Sequence, residues 1–254
     1  MTVRTALVTN DDGILSPGIT ALAGVTRDRG LVTVVAAPNT ESSGTSAGLT
    51  AAEDKRRVAV RRRTLDGLPD VPAYAVVGHP GLIALVAAKG AFNGRPDVLL
   101  SGINRGANVG RAVLHSGTVG AALTAGINGI RALAVSLDVG LPEPGELHWP
   151  SAVRVADEVL PMLADTPPGT VLNVNVPNVP EARLRPLRRA RLAEAGTVQA
   201  RVRQLDGGGL ELVSVVAEGE VEEGTDVALL AAGHPTVTAL RSVADDPGLV
   251  LPLE

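Results

Sequence analysis

The chain has 254 residues, 45% of them hydrophobic, with one Phe, one Tyr and one Trp, and its formal net charge is −4. The absence of cysteine excludes disulfides, thiol catalysis and cysteine–zinc sites, and the acidic balance gives no reason to expect general affinity for nucleic acid. The length fits one α/β domain, or one domain with a small appendage. Its core must be built from Ala, Val, Leu and Ile, which suits helices packed on a parallel sheet.

The first strand is predicted over residues 3–9 and ends at an acidic turn, Asn10-Asp11-Asp12-Gly13, before a helix over about 17–29. Ligands of open α/β sheets bind at this edge, beyond the carboxyl ends of the strands. Two adjacent carboxylates repel each other unless positive charge lies between them, and a hard cation, Mg²⁺ or Mn²⁺, would supply it. A solvated turn is the other interpretation, because Asn, Asp and Gly are ordinary turn residues.

The second predicted strand, residues 31–38, runs into a polar loop over 39–46 that contains Ser43 and Gly44. Small hydroxyl and glycine residues allow a metal or a phosphate to approach closely, although the same composition is typical of a flexible loop. The segment 54–63 is basic, and it predicts an exposed strand with solvated charges or, alternatively, a patch that attracts phosphate. Its cations are Lys55, Arg56, Arg57, Arg61, Arg62 and Arg63.

Two further predicted strands, 74–77 and 97–100, also end in polar segments. His79 begins the helix that follows the first of them, where it could face the active site or serve a structural role. The second is followed by a predicted long loop, 101–110, which contains Asn104 and Asn108. An asparagine offers a neutral oxygen to a metal or an amide donor to a phosphate.

The sequence His115-Ser116-Gly117-Thr118 opens a helix of small residues. A helix N-terminus with hydroxyl groups is a natural seat for phosphate. The same residues also serve as an N-cap, and the two roles are compatible.

Beyond this helix we predict a strand over 132–137, a Pro- and Gly-rich connection over 138–150, a helix over 151–164 and a strand over 171–177. From about residue 180 two alternating stretches flank Gly207-Gly208-Gly209, which indicates a β-hairpin arm. We therefore predict an α/β catalytic core over 1–180, a β-hairpin oligomerisation arm over 181–223, and a return to the core over 224–254.

Taken together, these motifs resemble the SurE family of metal-dependent nucleotidases and phosphatases. The matching segments are spread over most of the chain and follow one another at the ends of the predicted strands. They are Asn10-Asp11-Asp12-Gly13, Pro17-Gly18, Ala37-Pro38, Ser43-Gly44, Ser101-Gly102-Ile103-Asn104, Gly106, Asn108, Gly110, Ser116-Gly117-Thr118-Val119, Ala132-Leu133-Ala134-Val135-Ser136, Asn173-Val174-Asn175-Val176-Pro177 and Gly224-Thr225-Asp226.

The resemblance implies a Rossmann-like α/β fold, mostly parallel, with a protruding hairpin arm and a homodimer or homotetramer. It also implies hydrolysis of nucleoside 5′- or 3′-monophosphates with one divalent metal ion, Mg²⁺ or Mn²⁺, per subunit. The implied metal ligands are Asp11, Asp12, Ser43 and Asn104. The implied phosphate-side residues are Asn108, Ser116 and Thr118. We further expect Gly117, His79 and His115 to lie at the substrate. The expected catalytic residues are Asp11, Asp12, Asn108, Ser116 and Thr118.

The sequence departs from the family pattern at His79, Leu82, His115 and Thr124, and its C-terminal segment after Leu240 is short and has a proline near its end. These departures favour an altered substrate, so a specialised phosphatase acting on another small phosphate ester is one alternative. A non-catalytic homologue that binds metal or nucleotide is another, although paired carboxylates argue for chemistry. A dinucleotide-dependent oxidoreductase is disfavoured because Asn-Asp-Asp-Gly stands where such enzymes carry Gly-x-Gly-x-x-Gly.

The expected partner is a small phosphate ester, a nucleotide under the first hypothesis, with no duplex nucleic acid and no membrane. The start of the chain carries no signal-peptide pattern, and no apolar run reaches membrane-spanning length. A cytoplasmic location is therefore expected.

Overall fold

Apolar segments and amphipathic helices alternate along the chain, and they assemble into three layers with a β-sheet in the middle. The computed structural model describes residues 3–49, 57–140, 145–194, 198–205, 209–216, 222–241, 243–245 and 248. Several predicted features, namely Lys55, Arg56, Gly207, Gly208 and the terminus over 249–254, lie outside these residues.

Nine strands form the central sheet. They are β1 (Thr5–Thr9), β2 (Val32–Pro38), β3 (Val60–Leu65), β4 (Leu68–Val76), β5 (Val98–Arg105), β6 (Arg131–Asp138), β7 (Val171–Pro177), β8 (Arg188–Arg189) and β11 (Thr236–Leu240). Their order in the sheet is β3-β4-β2-β1-β5-β6-β7-β11-β8. Strand β3 runs antiparallel to β4, strand β11 runs antiparallel to β7, and the other pairings are parallel. The predicted α/β, mostly parallel fold is confirmed.

Helices cover both faces of the sheet because alternate strand residues are apolar on each side. Leu22 and Leu160 pack on the face that carries Val8, whereas Ile83 and Val119 pack on the face that carries Leu7. The helices are α1 (Pro17–Asp28), α2 (Pro80–Ala88), α3 (Gly117–Ile127), α4 (Trp149–Ala164) and α5 (Asp226–Ala231), with 3₁₀ helices at Gly110–His115 and Glu181–Arg183. No helix within the described ranges is long and apolar enough to cross a membrane.

Strands β4 and β5 both correct the sequence prediction, and β4 begins at Leu68 although only residues 74–77 were predicted as a strand. Residues 101–110 were predicted to be a long loop, but β5 continues to Arg105. Its register with β6 shifts between Ser101 and Asn104, after which Asn104 pairs with Ser136. The strand continues through these polar and glycine residues because the ladder to β6 resumes after the register shift. Asn104 therefore belongs to the sheet and not to a loop.

The predicted arm segment, 181–223, contains two kinds of structure. Strands β9 (Val198–Leu205) and β10 (Gly209–Val216) form a separate antiparallel hairpin sheet. The first part of the segment contributes β8 to the edge of the main sheet, beside β11. The two edge strands, β3 and β8, carry exposed arginines; these are Arg61, Arg62, Arg63, Arg188 and Arg189.

Strand order reverses at β1, which has β2 on one side and β5 on the other. In doubly wound sheets the crevice beyond the carboxyl ends of two such strands is the usual ligand site. The acidic turn follows β1, and Arg105 ends β5, so both predicted site segments meet at this crevice.

Candidate active site

The turn after β1 is held in shape by the side chain of Asn10. Its Nδ2 atom donates to the carbonyl oxygen of Gly13 (3.0 Å) and to Ser16 Oγ (2.7 Å), and Asn10 is fully buried. Gly13 has φ of +95°, a conformation that other residues rarely adopt. This closed turn fixes the two carboxylates that lie between Asn10 and Gly13.

Asp11 is buried against the N-terminus of α3, where Thr118 binds both of its carboxylate oxygens. The Thr118 hydroxyl donates to Oδ1, and the Thr118 backbone N–H donates to Oδ2 at 3.1 Å. The pKa of Asp11 is raised because burial outweighs these hydrogen bonds. A β-carbon on Gly117 would lie 2.8 Å from Asp11 Oδ2, so only glycine allows the helix to come this close.

Asp12 lies beside Asp11 at the end of β5, where its Oδ2 accepts a long hydrogen bond from the Arg105 N–H (3.3 Å). Burial, and then the negative charge of Asp11, raise the pKa of Asp12 from 3.8 to about 6. The raised pKa values show that two negative charges are unfavourable here. A bound cation would stabilise the ionised form of both carboxylates.

Asn104 completes this group from β5. Its Nδ2 donates to the Gly106 carbonyl oxygen (2.8 Å), and its Oδ1 lies 3.2 Å from the Thr118 hydroxyl. The amide nitrogen is therefore directed at the backbone, and the amide oxygen faces the same hydroxyl that binds Asp11.

These residues line a cavity of about 400 Å³ at the carboxyl ends of β1 and β5. The predicted site residues along its wall are Asp11, Asp12, Ser43, Asn104, Asn108, His115 and Ser116. Gly117 and Thr118 are buried behind Asp11 rather than along the wall.

Glu41 is a wall residue that sequence analysis did not single out. It accepts a hydrogen bond from Ser43 Oγ (2.7 Å), and its charge contributes to the raised pKa of both Asp11 and Asp12. Its loop is tied to the acidic turn by the Ser42 N–H, which donates to the Asp11 carbonyl oxygen (2.7 Å). An acidic residue two positions before a predicted ligand was the available sequence signal.

Of the four departures from the family pattern, the structure brings one to the cavity. His115 lies on its wall at the end of the first 3₁₀ helix. His79 was expected at the substrate, but it is not on this wall; its ring lies beside Gly48, and its buried Nδ1 has no hydrogen-bond partner. Leu82 is buried in α2, and the Thr124 hydroxyl donates to the Gly120 carbonyl oxygen within α3.

The predicted ligand set consists entirely of oxygen donors: two carboxylates, the Asn104 amide and the Ser43 hydroxyl. This donor set fits a hard divalent cation such as Mg²⁺ or Mn²⁺. Among the residues that the structure describes, no group of three or more His, Cys, Asp or Glu side chains could hold a metal ion. The neutral oxygens of Asn104 and Ser43 are therefore needed to complete such a site.

A family model described as "Survival protein SurE" matches residues 6–199. Among curated relatives, the 5′/3′-nucleotidase SurE of Edwardsiella ictaluri is 38% identical over 240 residues, which cover 92% of this chain and 89% of the relative. The 5′-nucleotidase SurE 1 of Thermus thermophilus is 38% identical over 237 residues, covering 91% and 89% of the two chains.

A solved structure gives the same result for the fold. The crystal structure of the SurE protein from Aquifex aeolicus superposes with a TM-score of 0.74 at 30% identity. The match covers 93% of this chain and 92% of the other.

Proposed function

The chain belongs to the SurE family, and on that premise we propose that it hydrolyses nucleoside 5′- or 3′-monophosphates to nucleoside and phosphate. The activity requires a divalent cation, with one Mg²⁺ or Mn²⁺ per subunit. The observation that carries this proposal is that Asp11, Asp12, Asn108 and Ser116 all line the same cavity. Nucleotidase names among the relatives support the substrate class.

The cation would be held by Asp11, Asp12, Ser43 and Asn104. When bound, it supplies Lewis acidity that withdraws charge from the phosphoryl group. Thr118 keeps the Asp11 carboxylate oriented, and the Asn104 amide is oriented by Gly106.

The phosphate binds on the α3 side of the cavity. Ser116 Oγ accepts the Val119 N–H at 3.1 Å, which leaves the hydroxyl proton of Ser116 to donate to a phosphate oxygen. Asn108 supplies an amide donor, and the N-terminus of α3 favours negative charge. These groups stabilise the charge that moves onto the phosphoryl oxygens as the ester bond breaks.

Asp12 is the carboxylate better suited to accept the proton of the attacking water. Both oxygens of Asp11 already accept hydrogen bonds from Thr118, whereas Asp12 accepts one long bond from the backbone. The water attacks phosphorus in line, the ester P–O bond breaks, and the departing alcohol leaves with a proton from solvent.

The test is phosphate release from AMP, GMP and 3′-AMP, measured with Mg²⁺, with Mn²⁺ and in excess chelator. We expect turnover that requires added metal and that falls to background in chelator. Full turnover in chelator would exclude the metal-dependent mechanism, and no release from any nucleotide would exclude the nucleotidase.

A specialised phosphatase is the second candidate, and the position of His115 on the cavity wall favours it. A side chain beside the phosphate site contacts the leaving alcohol, so His115→Tyr should change the ratio of kcat/KM between substrates by about 10- to 200-fold. His79→Thr is the matched control, because His79 lies away from the wall. If both variants keep the wild-type ratio of kcat/KM between substrates, the specialised phosphatase is excluded and the nucleotidase proposal stands.

A homodimer or homotetramer, assembled through the hairpin arm, and a cytoplasmic location complete the proposal.

A further inference from the structure

Asn108 sits in a short loop between β5 and the first 3₁₀ helix, outside the ladders of the sheet. A half-buried loop must find partners for its backbone polar groups, because unpaired groups are costly. For Asn108 these partners are side chains of β7, more than sixty residues away along the chain.

Asn175 binds both backbone groups of Asn108 with one amide. Its Oδ1 accepts the Asn108 N–H (2.8 Å), and its Nδ2 donates to the Asn108 carbonyl oxygen (2.9 Å). Asn173 donates from Nδ2 to the same carbonyl at 2.8 Å. Both asparagines are fully buried.

The side chain of Asn108 is held separately, from β6. Its Nδ2 donates to Ser136 Oγ at 2.8 Å, and Ser136 is in register with Asn175 on the neighbouring strand. One amide hydrogen and the amide oxygen of Asn108 therefore remain available to the cavity.

We propose that Asn175, assisted by Asn173, is a positioning residue that holds Asn108 in place for the phosphate group. The inference rests on the proposed function, in which Asn108 contacts the phosphate. This contact uses both the donor and the acceptor of the amide, so neither an ionised Asp nor Leu reproduces it.

The chain offers a matched control just beyond the same strand. Asn178 binds a different loop in the same manner, since its Oδ1 accepts the His148 N–H (2.7 Å) and its Nδ2 donates to the Glu146 carbonyl oxygen (2.9 Å). None of the described residues of that loop, 139–140 and 145–148, lines the cavity wall. Asn178→Ala therefore measures the cost of losing such a contact without touching the site.

The experiment is a double-mutant cycle on phosphate release from AMP, with Asn108→Ala, Asn175→Ala and both together. We expect Asn175→Ala alone to lower kcat by about 10- to 100-fold with little change in KM, as a misplaced donor to the transition state would. In the Asn108→Ala background the same change should lower kcat by less than about threefold. Asn178→Ala should lower the melting temperature and leave kcat within about twofold of the wild type.

Two results overturn the inference: effects of Asn108→Ala and Asn175→Ala that multiply, or an equal loss of kcat in Asn178→Ala. If Asn175→Ala does not fold, Asn173→Leu enters the cycle in its place, because it removes one of the two donors to the Asn108 carbonyl and fills similar space. Wild-type protein that releases no phosphate contradicts the proposed function itself, and this outcome needs no variant to be recognised.

Discussion

Asp11 is a buried carboxylate whose two oxygens both accept hydrogen bonds. Thr118 satisfies its two carboxylate oxygens, and Gly117 lets the helix N-terminus approach them. Asp12 accepts a long hydrogen bond from the Arg105 N–H, and this contact offsets only part of the effect of burial on its pKa.

Asp12→Asn should stabilise the metal-free protein and lower the activity of the metal-loaded enzyme. The folded state holds the proton of Asp12 more tightly than the unfolded state, because its pKa rises from 3.8 to about 6. The free energy of unfolding therefore falls as pH rises from about 4 to about 6, and it stays low above that range. In chelator at pH 7.5 we expect a melting temperature about 2–6 °C higher in the variant.

That gain should vanish below about pH 4, where Asp12 is protonated in both states. Phosphate release with metal should fall at least about a hundredfold, because a charged ligand is lost. A melting-temperature difference that is constant from pH 4 to pH 8 would contradict the assigned cause.

Gly117→Ala tests the close approach of α3 to the carboxylate. The added β-carbon would lie 2.8 Å from Asp11 Oδ2 and 2.9 Å from Asp11 Cβ, so the helix or the carboxylate must move. We expect kcat to fall by at least about tenfold, because small displacements at a reacting centre are costly.

Gly24→Ala in α1 is the control for Gly117→Ala, since its added β-carbon meets nothing within 4 Å. It should stabilise the protein by up to about 1 kcal/mol through helix propensity and leave kcat unchanged. Equal activity in the two variants would show that the contact with Asp11 is unimportant.

At the scale of secondary-structure elements, most of the sheet could be predicted because its strands are continuous apolar runs. Strand β5 was one exception, since Ser101 and Gly102 suggested a loop and the ladder to β6 lies outside any local pattern. Strand β4 was another, because it begins six residues before the predicted strand 74–77. The acidic turn was likewise predictable, because two adjacent aspartates follow a strand.

Other site features depend on contacts that no local pattern records. Asn173 and Asn175 lie in a predicted strand and in a segment that resembles the family, but only the structure shows that they bind Asn108. Glu41 is a wall residue because of the path of its loop, and His79 is not on the wall because its ring lies beside Gly48 instead.

Asp226 links three elements with one buried carboxylate. It accepts hydrogen bonds from the N–H groups of Gly110 (2.8 Å), Ala193 (2.9 Å) and Val227 (2.9 Å). It thereby joins α5 and the segment after β8 to the 3₁₀ helix that carries His115.

Asp226→Ala should lower the free energy of unfolding by about 3 kcal/mol or more, because buried hydrogen bonds to a charged acceptor are lost. We also expect KM to rise, since the 3₁₀ helix beside the cavity loses its anchor. Thermal unfolding and phosphate-release kinetics would measure both effects.

Asp97→Ala is the control for Asp226→Ala. Asp97 also accepts three hydrogen bonds, from Arg4 N–H, Thr5 N–H and the Thr5 hydroxyl, at the opposite end of β1. It should cost stability without raising KM. A rise in KM of similar size in both variants would refute the link between Asp226 and the site.

At the scale of the whole molecule, the hairpin β9–β10 stands apart from the nine-stranded sheet. An isolated two-stranded hairpin is at best marginally stable in water, so it requires packing partners. Replacing residues 198–216 with a short Gly-Ser linker should leave the core folded and shift sedimentation toward a smaller oligomer. If sedimentation shows the same number of subunits per particle after the replacement, the hairpin is not required for assembly.

The arginines on both outer strands also set how the protein behaves in concentrated solution. An open sheet edge is a template for adding further strands, and like charges on two approaching edges oppose such contacts. This protection is electrostatic, so it weakens as ionic strength rises and the screening length falls from about 10 Å at 0.1 M salt to about 3 Å at 1 M. Colloidal stability should therefore be greatest in dilute buffer, and edge-to-edge association should begin first in concentrated salt.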